Sequence, residues 1–283
     1  MEIKRIGVIG AGQMGAGIAQ VAAYNGFEVT LRDIKKEFCD NAIAKIRQGL
    51  DKRVSQGKET QENVDKTLGN ITASVDAQDM RNCDMVIEAV PEILELKKAA
   101  FAELGGICRE DAILCTNTSS MSVTEIMAGC ANPQRCAGMH FFFPVAAMRL
   151  VEIVRGAMTS DETIEAIKST AASIGKTPVV CRTDTPGFIV NRCLFAFMLE
   201  AIHCCEDGVA TIEDIDTAIK LGLNHPLGPF EMMDMSGIDT FPHVCETLES
   251  LPVTSWAVPE SICKLIEKGR LGRKNGHGWH DYE

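Results

Sequence analysis

The chain lacks most features that mark a membrane, secreted or nucleic-acid-binding protein. It has no run of about 18 apolar residues, the length of a bilayer-spanning helix, so no transmembrane helix is expected. Basic residues are in the minority, with Lys+Arg 28 against Asp+Glu 39 and a net charge of −11. Non-specific binding to DNA or anionic lipid needs basic surface, so neither is an expected partner. The opening stretch reaches its glycines after too short an apolar run to read as a signal peptide. The 12 cysteines include no C-x-x-C pair and no zinc-like histidine spacing, so no metal site is expected. Scattered from Cys39 to Cys263, they read as reduced packing residues of a cytoplasmic protein. Repeats and low-complexity segments are also missing.

What remains is globular. The length of 283 residues suits one large domain or two ordinary ones, and 46% hydrophobic residues supply a core. Short β-rich runs alternate with helical stretches through the first half. Strands are expected at Ile3–Ile9, Phe27–Leu31, Met85–Ala89, Ile113–Cys115, Cys136–Phe142, Val151–Val154 and Pro178–Cys181. Helices are expected at Gln13–Tyr24, around Lys36–Gln56, and at Leu94–Leu104 and Glu162–Ile174. Such alternation predicts a parallel sheet with helices on both faces. The pattern changes after the loop 182–187. From Phe188 onward no strand is expected, and Phe188–Glu206 reads as one long apolar helix needing cover. Thr211 and Asp214 suit the start of the next helix. The fold class is therefore α/β: a dinucleotide-binding domain over 1–184, then a smaller all-α domain over 185–283.

The segment Ile6–Gly15 ends a strand and opens a helix, with Gly10, Gly12 and Gly15 at G-x-G-x-x-G spacing. The first glycine permits the turn, the second admits a pyrophosphate to the backbone, and the third allows close helix–strand packing. With the intervening Ala11, Gln13 and Met14, this turn is the expected cofactor cradle, since a helix N-terminus attracts phosphate. A second strand ends at Asp33, whose carboxylate suits the adenosine ribose and disfavours a 2′-phosphate. That points to NAD. Arg32 beside it suits the extra phosphate, so NADP stays open.

Cys115–Ile126 follows a strand and is rich in hydroxyl residues, where parallel sheets bind ligands. Capping is the commoner use of such residues. His140 sits in an apolar strand. A turn near 145–147 would set 138–142 antiparallel to 150–154 with His140 opposite Glu152. A carboxylate there would orient an imidazole acid/base suited to an alcohol–ketone interconversion. Asn191 is the polar residue entering the apolar helix, suited to a substrate contact or to tying loop to helix.

Together these residues resemble the short-chain (S)-3-hydroxyacyl-CoA dehydrogenase family, most closely its bacterial 3-hydroxybutyryl-CoA members. The resemblance spans the chain. It rests on Gly10–Gly15, Asn117–Ser120, His140–Pro144, Leu150–Glu152, Thr185–Arg192, His225–Pro229 and Leu271–Trp279. It implies an NAD-binding Rossmann domain, a helical domain that dimerises the chain into a homodimer, and an acyl-CoA substrate. By motif, His140 is the acid/base, Glu152 its orienting partner, and Ser119 and Asn191 bind the reacting oxygen or the thioester carbonyl. Glu92, Lys97 and Lys274 match positions near the cofactor. Lys52, Arg53 and Lys58 match the neighbourhood of the coenzyme A site, although a charge run is also an ordinary solvated helix face.

One residue departs from the pattern. Phe143 stands where the family has Asn, so a polar contact beside the nicotinamide is lost, and slower chemistry is expected. Two other functions fit less of the sequence: a non-catalytic NAD-binding protein, and a dehydrogenase of a free hydroxy acid.

Overall fold

A computed structural model describes residues 2–248 and 258–282. Contacts divide the chain into two compact units, Met1–Thr185 and Pro186–Glu283. The division falls one residue beyond the expected 184, just before Gly187, whose φ of 72° turns the backbone.

The first unit runs β1 (Arg5–Ile9), α1 (Gln13–Tyr24), β2 (Glu28–Arg32), α2 (Lys36–Ser55), α3 (Gln61–Gly69), β3 (Ile71–Ser74), β4 (Met85–Glu88), α4 (Leu94–Ile107), β5 (Ile113–Thr116), α5 (Val123–Met127), β6 (Cys136–Phe141), β7 (Leu150–Val154), α6 (Asp161–Ser173) and β8 (Thr177–Cys181). The strand order is β3-β2-β1-β4-β5-β6-β7-β8. Strands β1 to β6 are mutually parallel, β7 is antiparallel to β6, and β8 is parallel to β7. The chain leaves β1 to one side for β2 and returns on the other for β4. That reversal opens the crevice at the carboxyl edge where such sheets take ligands.

Central strands are covered on both faces and therefore read as continuous apolar runs. Ile6, Val8, Met85, Ile87, Ile113 and Cys115 are buried in one core cluster. Each large aliphatic side chain buried there contributes roughly 1.5–3 kcal/mol. The sequence reading has no element between α2 and β4, whereas the structure adds α3 and β3. Helix α3 is short and mostly polar, announced only by Thr60, whose hydroxyl accepts from the Asn63 N–H. Strand β3 has four residues. Both are too short for periodicity to declare.

The second unit is helical among the described residues: α7 (Val190–Glu206), α8 (Ile212–Leu223), α9 (Pro229–Ser236), α10 (Phe241–Leu248) and α11 (Glu260–Glu267). Helix α7 starts two residues later than expected because Phe188 has φ 50°, outside the right-handed helix region. Thr211 caps α8 by accepting from the Asp214 N–H. Met198, Leu199, Ile202, Phe230, Met233 and Ile262 form this unit's core. Two buried carboxylates hold the tail. Asp234 accepts from the Trp279 and His280 N–H groups and from the Tyr282 hydroxyl. Asp216 lies 2.9 Å from His280 Nε2. Burial pushes the Asp216 carboxyl above its ordinary range, despite hydrogen bonds from the Phe230 N–H and His280.

Candidate active site

Gly10 has φ 98°, and a Cβ there would come within 2.5 Å of the Ala89 carbonyl oxygen. Gly15 lies against the same turn: a Cβ would meet the Gly10 oxygen at 1.8 Å. Gly12 differs, because a Cβ on it would meet nothing within 4 Å. Packing within the chain therefore does not require glycine at 12, whereas close approach from outside does. Gly12 also caps α1 without a side-chain acceptor, so the first-turn N–H groups and the positive end of the helix dipole face outward. Asp33, just past β2, accepts from the Ala11 N–H at 2.6 Å and from its neighbour Ile34 at 2.7 Å. The carboxylate thus lies beside the glycine turn, where it fits the adenosine ribose of a dinucleotide. Arg32 Nε is buried without a hydrogen-bond partner. Gln13 is exposed in the first turn of α1, and Met14 reaches the cleft described next.

At the carboxyl edge of β4, β5 and β6 lies a cleft of about 370 Å³, whose lining includes Met14, Glu92, Asn117, Ser119, His140 and Phe143. His140 is on β6 and faces Glu152 on β7 in register. The Nδ1 to Oε2 distance is 2.8 Å, and the side chains are 6% and 1% exposed. A donor at Nδ1 facing a carboxylate places the basic lone pair of the neutral ring on Nε2. The Phe142 ring packs on the imidazole with centroids 4.5 Å apart. The turn beyond is held by Lys176, whose ammonium donates to the Val145 and Met148 carbonyls. Burial pulls the Lys176 amine below its ordinary range.

Ser119 enters the same cleft from the loop after β5 and donates its N–H to Glu92 Oε1 at 2.9 Å. Glu92 follows β4. Burial pushes its carboxyl up, but the Lys97 charge and the hydrogen bonds from Thr118 and Ser119 outweigh this and hold it below the usual range. Lys97 is 1% exposed and lies 2.9 Å from Glu88 and 3.1 Å from Glu92.

His140, Ser119, Glu92, Lys97 and Met14 thus meet around one cleft, with Glu152 behind. The remaining expected residues are placed as follows within their own units. Lys52 and Arg53 occupy the last turn of α2, Lys58 follows it, and all three are exposed. Asn191 is the second residue of α7 and half-buried. Lys274 is in the tail of the second unit, ion-paired with Asp239. Phe143 is 56% exposed at the cleft wall.

Sequence reasoning gave no individual role to four further residues here. Glu88 is fully buried at the end of β4; its signal was a carboxylate closing an otherwise apolar central strand. Thr116 donates to it at 2.7 Å. Asn117 Oδ1 accepts from the Phe141 N–H at 2.9 Å. Asp184 accepts from the Ser122 hydroxyl and the Thr124 N–H at the start of α5. Among the described residues no group of three or more His, Cys, Asp or Glu is placed to hold a metal.

A doubly wound sheet with a glycine turn at its first crossover and an imidazole–carboxylate pair at its carboxyl edge defines a dinucleotide-dependent oxidoreductase. Comparison specifies it further. Residues 5–185 match the NAD binding domain of 3-hydroxyacyl-CoA dehydrogenase, and residues 187–282 match its C-terminal domain. The chain belongs to the 3-hydroxyacyl-CoA dehydrogenase family, and its cofactor is NAD. It is 43% identical over 279 residues to a probable 3-hydroxybutyryl-CoA dehydrogenase of Deinococcus radiodurans, covering 98% of this chain and 100% of that one. It is 42% identical to the 3-hydroxyadipyl-CoA dehydrogenase of Escherichia coli, covering 100% of this chain and 60% of that one. The crystal structure of (S)-3-hydroxybutyryl-CoA dehydrogenase from Ralstonia eutropha superposes with a TM-score of 0.95 at 37% identity, covering 100% of both chains.

Proposed function

We propose that the protein interconverts (S)-3-hydroxybutyryl-CoA and acetoacetyl-CoA, with His140 as acid/base and Glu152 as its orienting partner. The observation that carries this reading is the buried 2.8 Å contact between His140 Nδ1 and Glu152 Oε2 at the wall of a cleft that also holds Ser119. Bound NAD supplies the acceptor for the hydride that leaves C3. The chain's own part is the proton. Nε2 takes it from the 3-hydroxyl while Glu152 stabilises the imidazolium. In reduction, the same proton returns to the developing alkoxide. Ser119, from the β5 loop, and Asn191 hydrogen-bond the reacting oxygen or the thioester carbonyl.

Gly10–Gly15 and Asp33 hold the dinucleotide in this reading, with Glu92, Lys97 and Lys274 near it. Lys52, Arg53 and Lys58 attract the phosphates of coenzyme A, which an acidic protein must do locally. The four-carbon acyl group is favoured by the relatives named for it. Two further proposals concern the whole molecule. It acts in the cytoplasm, where cysteines stay reduced, and none of the twelve forms a disulfide. It is a homodimer through the helical unit, which leaves Val209, Leu221, Leu223 and Met235 more than half exposed.

The test follows the reduced-nicotinamide absorbance with acetoacetyl-CoA and either NADH or NADPH. Oxidation of NADH that is lost in His140→Ala is the expected result. Turnover only with NADPH would overturn the ribose role given to Asp33. Binding of NADH without turnover would remove the substrate. Sedimentation equilibrium decides the dimer, which a monomeric mass would exclude.

A further inference from the structure

Five donors converge on one oxygen in the cleft. Glu92 Oε1 accepts from the Thr118 hydroxyl at 2.5 Å, the Ser119 N–H at 2.9 Å and the Ser119 hydroxyl at 3.5 Å. The Ser120 N–H and hydroxyl add two longer contacts at 3.4 Å. The other oxygen, Oε2, is 3.1 Å from Lys97 Nζ. Glu92 is therefore engaged on both oxygens within the chain, and what it holds is the loop that carries Ser119.

Lys97 is in turn fixed from beneath. Its Nζ donates to Glu88 Oε1 at 2.9 Å and to the Val90 carbonyl at 3.3 Å. Glu88 also accepts from the Val90 N–H at 2.7 Å and from the Thr116 hydroxyl at 2.7 Å. Thr116 Oγ1 accepts from the Thr118 N–H at 3.2 Å, which closes the ring back to the same loop. The ends of β4 and β5, the first turns of α4 and the 118–120 loop are thereby bound into one network. A buried lysine needs a compensating charge, and here it has two.

We infer that Lys97 and Glu88 are positioning residues: the buried ammonium locks the Glu92 carboxylate, and Glu92 sets the 118–120 loop so that Ser119 is presented to the cleft. This rests on the proposed reading of the cleft and replaces a direct cofactor contact by Lys97 with an indirect role. Among the described residues, Lys97 on α4 is ion-paired with Glu92, Glu88 on β4 pairs with the same lysine, and His140 on β6 lines the same cleft. Removing the lysine charge takes away the largest of the influences that hold the Glu92 carboxyl down, so burial pushes it up from its wild-type position. Glu92 then takes up its proton at a higher pH than in wild type, and the charge-assisted hydrogen bonds to the loop become weaker neutral ones.

Lys97→Met tests this against wild type over a series from about pH 5 to about pH 8, which begins just above the ordinary carboxylate range. Two readouts are used: hydrogen–deuterium exchange of segment 117–121 in the cofactor-free chain, and kcat/KM with acetoacetyl-CoA and NADH. The expected result is a loosened segment and a loss of kcat/KM on the order of tenfold to a hundredfold at the acid end of the series. Both effects should shrink towards its alkaline end and lose their pH dependence in Glu92→Gln/Lys97→Met. Exchange that tracks wild type throughout the series overturns the inference. So does a pH-dependent loss that persists in the double variant. Should Lys97→Met fail to fold, Glu88→Gln/Lys97→Met removes the unpaired buried charge and carries the same comparison. The exchange readout needs no turnover, so an inactive wild type would sink the substrate reading alone.

Discussion

Asn117 Oδ1 accepts the Phe141 N–H at 2.9 Å, stitching the loop that carries Ser119 to the strand that carries His140 one residue from the imidazole. Two functional groups from different crossovers are thus held in fixed relation by a side chain that is itself half-buried at the cleft. Asn117→Ala leaves the Phe141 N–H without its acceptor and frees the loop. Steady-state kinetics should show kcat lowered on the order of tenfold or more, with KM for the dinucleotide little changed. A change confined to KM would mean that the contact serves binding and not alignment.

Phe143, the position where the sequence departs from the family pattern it resembles, carries an aromatic ring that is 56% exposed. Because the ring is largely in solvent, Phe143→Asn should alter thermal stability by no more than about 0.5 kcal/mol. One regained hydrogen bond at the cleft is worth about 0.5–1.5 kcal/mol, so kcat/KM for acetoacetyl-CoA should rise several-fold. Kinetics identical to wild type would take position 143 out of the reaction.

Much of this was legible before any coordinates. The glycine turn declares itself because three glycines at fixed spacing sit between an apolar run and a helical one. The facing of His140 and Glu152 follows from the period of two in a strand once a turn is placed between them. The Glu88–Lys97 pair was not legible, since it joins the end of a strand to a helix across a loop whose path no local rule dictates. Lys97 illustrates the limit. The resemblance set it near the cofactor, and its burial among Glu88, Glu92 and the Val90 carbonyl is what the inferred supporting role rests on.

At the first crossover the tolerance is smaller still. A Cβ on Gly15 would sit 1.8 Å from the Gly10 oxygen, so Gly15→Ala must push α1 away from β1. Thermal unfolding should show a loss of about 1–3 kcal/mol, the usual cost of overpacking. NADH titration by fluorescence should show weakened binding. Unaltered affinity would separate the packing of this turn from its role as a cradle.

Asp84 ties the start of β1 to the sheet by accepting from the Lys4 and Arg5 N–H groups at 2.9 Å and from Arg109 at 3.0 Å. Burial pushes its carboxyl up, and these donors outweigh it to leave the carboxyl below its ordinary range. The contribution is therefore complete above the unfolded-chain value, about 3.9, and is lost as pH falls through the folded value. Asp84→Asn should cost about 1–3 kcal/mol in urea unfolding at neutral pH, and the gap to wild type should narrow as the solution is acidified. A gap that widens in acid would reverse the sign assigned to this group.

The β6–β7 pair has a consequence for how this molecule can change. His140 and Glu152 are twelve positions apart, so in the proposed reading one hairpin supplies the proton chemistry, and its closure draws on a short stretch of chain. In the same reading the dinucleotide end is assembled instead from β1, the turn before α1 and the end of β2. The two halves of the reaction are written in different parts of the chain and are separately editable. Substitutions in the 142–149 turn can reshape what reaches the imidazole without redrawing the grip on the cofactor.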